Sequence, residues 1–381
     1  MIPISRLSVG EAEAQAAFAV IKSGWIAQGK RTEEFENLVA NYVGAKHGIA
    51  CSSATTGLHL ALIAAGVKPG DEVICPSYTF IATANSIMYA GATPVFVDID
   101  PRTYNIDPKL IEAAITPRTK AIMPVSQVGL ACDLTEVMRI ARKHNLKVVE
   151  DAAPSFGAKI GDRRIGNISD FTVFSFDARK ILTTGEGGVI TTDDDAAAAH
   201  LRALRAHCAT ASMLARHTSS SVVLEGYPEL GYNYKMTDIN AAIGVVQMTK
   251  VDQFIADRRR LGQRYRDLLA GDDRLELPYE PPGYTHIYQS YTVRLLTSHT
   301  QLEIMSDMAA RGIATRRIVA CHLEKHHRAM YPTLSLPHSE ESTARTLLLP
   351  MFAGMKDEEQ DQVVEALQAA LSVTITRRAT G

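Results

Sequence analysis

Two ionisable residues in the middle of the chain carry the clearest chemical signal. Lys180 follows the short segment 175–179 and precedes the glycine-rich turn 183–188, and Asp151 stands upstream at the end of the strand-like run 147–150. A lysine that forms a Schiff base must be deprotonated often enough to attack a carbonyl. A carboxylate beside a pyridine nitrogen keeps that ring protonated as an electron sink. Together with their flanking residues, Lys180 and Asp151 indicate a pyridoxal phosphate site.

Small and hydroxyl-bearing residues could bind the phosphate of such a cofactor. Segment 52–57 lies between a predicted strand and a predicted helix, so its backbone N–H groups and the Thr55 hydroxyl could surround an anion. Taken alone, such a segment is more often a simple N-capping turn. Ser175 would add a second hydroxyl shortly before Lys180.

Two further residues have both a structural and a functional interpretation. Phe80 follows a predicted strand and could stack on the pyridine ring, although a phenylalanine by itself is more often part of a core. Asn233 lies in the polar aromatic loop 231–236, where its type alone indicates a cap or a turn.

The N-terminal half of the chain alternates helical patterns with short β-branched runs, which is typical of an α/β fold with a large, mostly parallel sheet. Ligands of such sheets collect at the carboxyl ends of the strands, where Asp151, Ser175 and the turn 52–56 all fall. Helices are predicted between the strands at 56–65, 82–89, 108–114 and 134–144. The seven predicted strands are 48–51, 72–75, 93–98, 121–125, 147–151, 171–175 and 188–192.

The C-terminal part of the chain has a different organisation and predicts a smaller α+β domain. One long helical pattern runs from 238 to about 269, followed by a strand at 288–296 and helices at 300–311 and 357–371. We therefore expect a large cofactor-binding domain over residues 1–245 and a small domain over 246–381.

Composition and charge exclude several classes of protein. A net charge of −2 with scattered Lys and Arg residues gives no basic patch for nucleic acid. The first residues lack a basic start followed by an apolar run, and no apolar stretch of roughly 18 residues occurs, so we expect a cytoplasmic protein without membrane contact. Five widely spaced cysteines, an odd number, are typical of reduced thiols.

Three motif-like patterns point to other chemistry but are incomplete. Segment 24–30 fits most of a phosphate-binding P-loop, yet Arg31 stands where Ser or Thr must bind magnesium. No Gly-x-Gly-x-x-Gly pattern follows a strand, which excludes a dinucleotide fold. A cysteine and three histidines near 321–327 resemble a metal cluster, but no paired ligand motif supports it, and we predict no metal.

Taken jointly, six segments resemble the DegT/DnrJ/EryC1/StrS family of sugar aminotransferases across nearly the whole chain. The resemblance implies a fold-type I, aspartate aminotransferase-like homodimer with pyridoxal 5'-phosphate bound covalently at Lys180, Asp151 at the pyridine nitrogen and Phe80 on the ring. It also implies that Ala54, Thr55 and Ser175 hold the phosphate, with Asn233 reaching in from the other subunit. The segments are 24–29, 55–62, 70–74, 150–153, 175–188 and 231–238.

The same resemblance implies nucleotide-linked keto sugars as substrates and L-glutamate as amino donor. The turn 183–188 resembles enzymes that aminate C4 of a 4-keto-6-deoxyhexose; the alternatives are a C3-keto sugar or aminocyclitol aminotransferase, or a cofactor-binding regulatory protein without turnover. Arg316 and Arg317 could bind a diphosphate or a donor carboxylate, although a solvated strand end explains them equally well. The expected substrate residues are Trp25, Tyr78, Arg316, Arg317 and His322.

Several positions depart from the common pattern of the family. Pro154 replaces the Gln or His often found three residues after the aspartate, and Ser126 and Asp177 also replace commoner residues. These departures affect the expected sugar specificity rather than the transamination.

Overall fold

The computed structural model describes residues 1–211 and 224–373. Thirteen strands are found in this part of the chain, and the seven predicted from the sequence form one sheet with the order β1-β9-β8-β5-β4-β2-β3. The strands are β1 His47–Cys51, β2 Glu72–Pro76, β3 Thr93–Val97, β4 Thr119–Ile122, β5 Lys147–Asp151, β6 Lys159–Ile160, β7 Arg163–Arg164, β8 Phe171–Ser175, β9 Gly188–Thr192, β10 Leu275–Glu276, β11 Tyr284–Thr285, β12 Tyr291–Leu295 and β13 Thr346–Leu349.

The large sheet is parallel except at one strand. Strands β2 and β3, β2 and β4, β4 and β5, and β5 and β8 pair in parallel. Strand β9 runs antiparallel to both β1 and β8. Strands β2 and β8 are buried along their whole length, as expected where helices cover both faces of a sheet. The prediction of a mostly parallel, seven-stranded sheet is confirmed.

Twelve α-helices are found in the described residues, and most agree with the helical patterns of the sequence. The helices are α1 Glu11–Ser23, α2 Lys30–Val43, α3 Ala54–Ala64, α4 Ala82–Tyr89, α5 Leu134–Lys143, α6 Asp195–Leu204, α7 Asp238–Met248, α8 Val251–Leu268, α9 Gln301–Ala310, α10 Lys325–Met330, α11 Pro337–Arg345 and α12 Asp357–Ser372.

Two helix predictions need correction. The pattern over 238–269 forms two helices, because the backbone N–H groups of Thr249 and Lys250 turn to carbonyls three residues back and end α7 before α8 begins. Segment 108–114 forms two 3₁₀ turns, Pro108–Leu110 and Glu112–Ala114, instead of an α-helix. Bonds of this tighter type cannot extend far, and Pro117 follows shortly after.

The C-terminal segments build a second apolar core. Strands β10, β12 and β13 form an antiparallel sheet that packs with α8, α9 and α12. The N-terminal Ile2 joins this core and pairs with Ile313, so the first residues of the chain lie against its C-terminal part. The division at residue 245 stays a prediction, and residues 374–381 of the expected small domain lie outside the described residues.

Within residues 1–211 and 224–373, every helix is too short or too polar to cross a bilayer.

Candidate active site

A cavity of about 550 Å³ opens at the carboxyl ends of β5 and β8, beside the N-terminus of α3. This is the edge at which ligands of parallel sheets bind. Most residues predicted to bind cofactor line its wall, together with both predicted arginines. These residues are Ala54, Thr55, Phe80, Asp151, Ser175, Lys180, Arg316 and Arg317.

Asp151 is the last residue of β5 and is buried at the base of the cavity. The Thr83 hydroxyl donates to its Oδ2 at 2.7 Å, and the Ala153 amide donates to its Oδ1 at 3.1 Å. Burial raises the pKa of Asp151, while these two hydrogen bonds and the charge of Lys180 oppose the rise. The charged form of Asp151 would therefore be stabilised by a positive charge in addition to that of Lys180.

Lys180 lies in the turn between β8 and β9 and reaches the cavity. Burial lowers its pKa, Asp151 and Asp177 raise it, and Arg179 and Arg316 lower it further. The lowered pKa favours the neutral amine, which is the form that attacks a carbonyl.

The N-terminus of α3 leaves one hydroxyl facing the cavity and uses another to cap the helix. The Ser53 side chain accepts from the Thr56 amide at 3.2 Å, and the Thr56 hydroxyl donates to the Ser53 carbonyl at 2.8 Å. Thr56 is thus engaged in the fold, whereas Thr55 lines the cavity. A Cβ at Gly188 would lie 2.6 Å from the Ala54 amide, so glycine is required where β9 meets this turn.

Ser175 and Phe80 complete the cavity wall on two sides. Ser175 ends β8, is buried, and accepts from the Asp177 amide at 3.3 Å. Phe80 is 65% exposed, so its ring is still available to a ligand. This exposure favours the functional interpretation of Phe80 over a core residue.

Four predicted residues lie outside this cavity. Tyr78 is completely buried against Tyr104, and its carbonyl accepts from Gln127 at 2.8 Å. His322 is buried between the Ser77 hydroxyl at 2.7 Å and Glu340 at 3.3 Å. The remaining two are Trp25, whose indole donates to the Gln28 carbonyl, and Asn233, which is exposed.

The unusual residues of the sequence take distinct positions. Pro154 and Asp177 line the cavity. The Ser126 hydroxyl instead donates to the buried Glu150 at 2.6 Å, behind the cavity wall. In the described part of the chain, no group of three or more His, Cys, Asp and Glu side chains is arranged to hold a metal ion.

Two residues of the site were not predicted from the sequence. Thr83 hydrogen-bonds Asp151 from the first turn of α4, and Gln289 lines the cavity next to Lys180 from the segment before β12. Neither belongs to a pattern of residue types, because each meets its partner only through contacts distant in sequence.

The chemistry of these residues fits pyridoxal phosphate. The start of α3 offers the Thr55 hydroxyl and first-turn N–H groups to an anion, with Ser175 beside them. Asp151 is a buried carboxylate suited to a protonated ring nitrogen, and Lys180 is an amine of lowered pKa in the same cavity. Ala54, Thr55 and Ser175 could hold the phosphate, Asp151 the ring nitrogen and Lys180 the aldehyde carbon.

The chain is similar to known proteins in sequence and in architecture. The GDP-perosamine synthase of Caulobacter vibrioides is 44% identical over 352 residues, which cover 91% of this chain and 92% of that protein. The aminotransferase TlmJ from Streptoalloteichus hindustanus is 32% identical with a TM-score of 0.90, covering 97% of this chain and 99% of that chain. The PLP form of Spr1654 from Streptococcus pneumoniae is 28% identical with a TM-score of 0.88, covering 97% and 98%.

The family assignment rests on nearly the whole sequence. The model of the DegT/DnrJ/EryC1/StrS aminotransferase family matches residues 8–368. Together with the long alignment to the Caulobacter enzyme, this match shows that the chain belongs to the DegT/DnrJ/EryC1/StrS family and is a pyridoxal phosphate-dependent aminotransferase.

Proposed function

We propose that this chain transfers the amino group of L-glutamate to C4 of a nucleotide-linked 4-keto-6-deoxyhexose. The observation that carries the proposal is that Lys180 and Asp151 share one cavity with the N-terminus of α3. The name of the 44% identical relative, a GDP-perosamine synthase, supports a nucleotide-linked sugar as substrate. The turn 183–188, which presents Glu186 to the cavity, supports C4 through its resemblance to C4-aminating enzymes.

Lys180 and Asp151 divide the proton chemistry between them. Pyridoxal phosphate, when bound, supplies an electron sink for the carbanion of the amino donor. Lys180 would hold the aldehyde carbon of the cofactor, and its amine, whose lowered pKa suits the task, would carry a proton beside the reacting carbon. Asp151 keeps a proton on the ring nitrogen, because a buried carboxylate gains most from an adjacent positive charge.

The remaining wall residues orient the cofactor. The Ala54 and Thr55 amides and the Thr55 and Ser175 hydroxyls would hold its phosphate at the start of α3. Phe80, whose side chain is exposed in the cavity wall, would cover one face of the ring and exclude water from it.

Residues at the mouth of the cavity recognise the substrate. The exposed guanidinium groups of Arg316 and Arg317 bind the donor carboxylate or the sugar diphosphate. Tyr78 and His322 are buried behind the wall: the Tyr78 carbonyl accepts from the wall residue Gln127, and His322 bonds the Ser77 hydroxyl. Trp25 lies between α1 and α2, outside this cavity, and its contact with the nucleotide sugar is proposed from the family resemblance alone.

We propose a homodimer in which Asn233 completes the cavity of the partner. Asn233 is exposed and lies outside the cavity of its own chain. If each site needs both subunits, mixing inactive Lys180→Ala and Asn233→Ala proteins will restore activity in the mixed dimers, because one of their two sites is intact. Mixtures that stay inactive would contradict this arrangement.

Borohydride trapping followed by peptide mass spectrometry tests the cofactor site. The wild-type protein is expected to carry a pyridoxyl group on Lys180, and the Lys180→Ala protein none at this position. The absorbance of the bound cofactor should then change on addition of L-glutamate in the wild-type protein alone.

The position of amination requires the product itself. Incubation with L-glutamate and GDP- or TDP-linked keto sugars, followed by NMR of the product, is expected to show nitrogen at C4. A product aminated at C3, or turnover of a carbocyclic keto-cyclitol in place of these sugars, would replace the C4 assignment. Absence of a pyridoxyl group on wild-type Lys180 would overturn the proposed roles of the site residues.

A further inference from the structure

The side chain of Gln289 hydrogen-bonds the main chain on both sides of Lys180. Its Nε2 donates to the Arg179 carbonyl at 2.9 Å, and its Oε1 accepts from the Ile181 amide at 3.0 Å. One amide group therefore satisfies a carbonyl before the lysine and an N–H group after it. The Lys180 amide itself donates to the Asp177 carbonyl at 3.0 Å.

Gln289 is in turn held by a buried arginine of α8. Arg258 is 4% exposed, and its NH1 donates to the carbonyls of Tyr288 at 2.9 Å and Gln289 at 3.1 Å. Burial lowers the pKa of Arg258 to about 10. A buried guanidinium needs hydrogen-bond acceptors. The two bonds from Arg258 therefore hold the main chain at Tyr288 and Gln289 in place.

A second contact fixes the same segment from the 3₁₀ turn Gln127–Gly129, which follows β4. The Ile287 amide donates to the Gly129 carbonyl at 2.9 Å, and the Ser290 amide donates to the Val128 carbonyl at 3.2 Å. A Cβ at Gly129 would lie 2.5 Å from the Gln289 amide nitrogen, so the two segments touch closely. The main chain around Gln289 is thus held by α8 and by the turn at Gly129, while its side chain hydrogen-bonds the residues beside Lys180.

We propose that Gln289 is a positioning residue for Lys180. This inference rests on the proposed function in taking Lys180 as the lysine that binds the cofactor. Lys180 lies in the connection between Ser175 and Gly188. This connection is held by its own bonds from Arg179 to Asp177 and from Thr183 to the Phe176 carbonyl, whereas Gln289 bonds both neighbours of Lys180. The two hydrogen bonds of Gln289 hold the Lys180 backbone so that its amine stays in the cavity near Asp151.

Two substitutions separate the parts of this contact. Gln289→Met removes both hydrogen bonds while keeping a side chain of similar length. Gln289→Glu keeps an acceptor for the Ile181 amide but places a second oxygen against the Arg179 carbonyl. Gln263→Met is the matched control, because Gln263 lies exposed on α8 and bonds Asp267 of the same helix.

The first measurement uses the protein without cofactor. Hydrogen exchange of the Ile181 amide, resolved by fragmentation mass spectrometry, is expected to be about tenfold faster in Gln289→Met and little changed in Gln289→Glu. The Gln263→Met protein should exchange at this amide like the wild type. Unchanged exchange at Ile181 in Gln289→Met would overturn the contact.

The second measurement follows attachment of pyridoxal phosphate to the cofactor-free proteins. Borohydride trapping on Lys180 should be slower by about tenfold in Gln289→Met, because a misplaced amine meets the aldehyde less often. An attachment rate equal to the wild type, despite faster exchange at Ile181, would overturn the positioning role. If wild-type Lys180 carries no pyridoxyl group, the proposed function fails, whereas the exchange result still decides the contact.

Discussion

Replacing Glu150 with glutamine is expected to remove a pH dependence of folding that the wild-type chain has. Glu150 precedes Asp151 on β5, and its side chain is completely buried on the opposite face, since side chains alternate along a strand. It accepts from the hydroxyls of Ser126 at 2.6 Å, Thr172 at 3.1 Å and Ser169 at 3.4 Å. Burial raises the pKa of Glu150 from 4.5 to about 7, against the effect of these hydroxyls.

The size and sign of the effect follow from this pKa. A carboxyl group whose pKa is higher in the folded state stabilises the fold below its unfolded pKa, and this contribution is lost as the pH rises through the folded pKa. For a pKa raised from 4.5 to about 7, the free energy of unfolding falls by roughly 2.5 kcal/mol between about pH 5 and about pH 8. A glutamine side chain does not titrate, so the Glu150→Gln protein lacks this loss.

Urea unfolding of both proteins at the two pH values measures the difference. Wild-type protein should lose stability relative to Glu150→Gln as the pH rises, because other titrating groups act equally in both proteins. Glu365→Gln, at an exposed position of α12, controls for the substitution itself. A difference between wild type and Glu150→Gln that does not change with pH would refute the reasoning, since Glu150 would then titrate alike in folded and unfolded chains.

Three further predictions concern the groups that support the site. Thr83→Val should lower the free energy of unfolding by about 1–3 kcal/mol and raise the pKa of Asp151 further, since the carboxylate loses a donor at 2.7 Å; unchanged urea unfolding would contradict this. Thr55→Val should weaken cofactor binding about tenfold in equilibrium dialysis and leave apo stability unchanged. Thr56→Val should destabilise the apo protein by about 1 kcal/mol, because the Thr56 hydroxyl accepts from the Ser53 amide and donates to the Ser53 carbonyl at the start of α3. Asp238→Ala should cost about 3 kcal/mol or more in urea unfolding, because this buried carboxylate accepts three backbone amides and one hydroxyl at the start of α2; a smaller loss would mean that water replaces these bonds.

Local residue patterns predicted the large sheet and the meeting of its functional residues. Strands buried on both faces appear as short β-branched runs, which can be recognised without knowing their neighbours. Asp151, Ser175 and Thr55 come together because the carboxyl ends of parallel strands share one edge. The sequence therefore determined the cavity, its basic and acidic groups and the family.

Contacts between distant segments decided the rest. Gln289 reaches the main chain beside Lys180 across more than a hundred residues, and Tyr78 and His322 lie buried behind the cavity instead of in it. The antiparallel course of β9 and the break between α7 and α8 also depend on how neighbouring elements pack. Periodicity along a chain records which face of an element is buried, but not which partner buries it, so only the tertiary structure identifies these contacts.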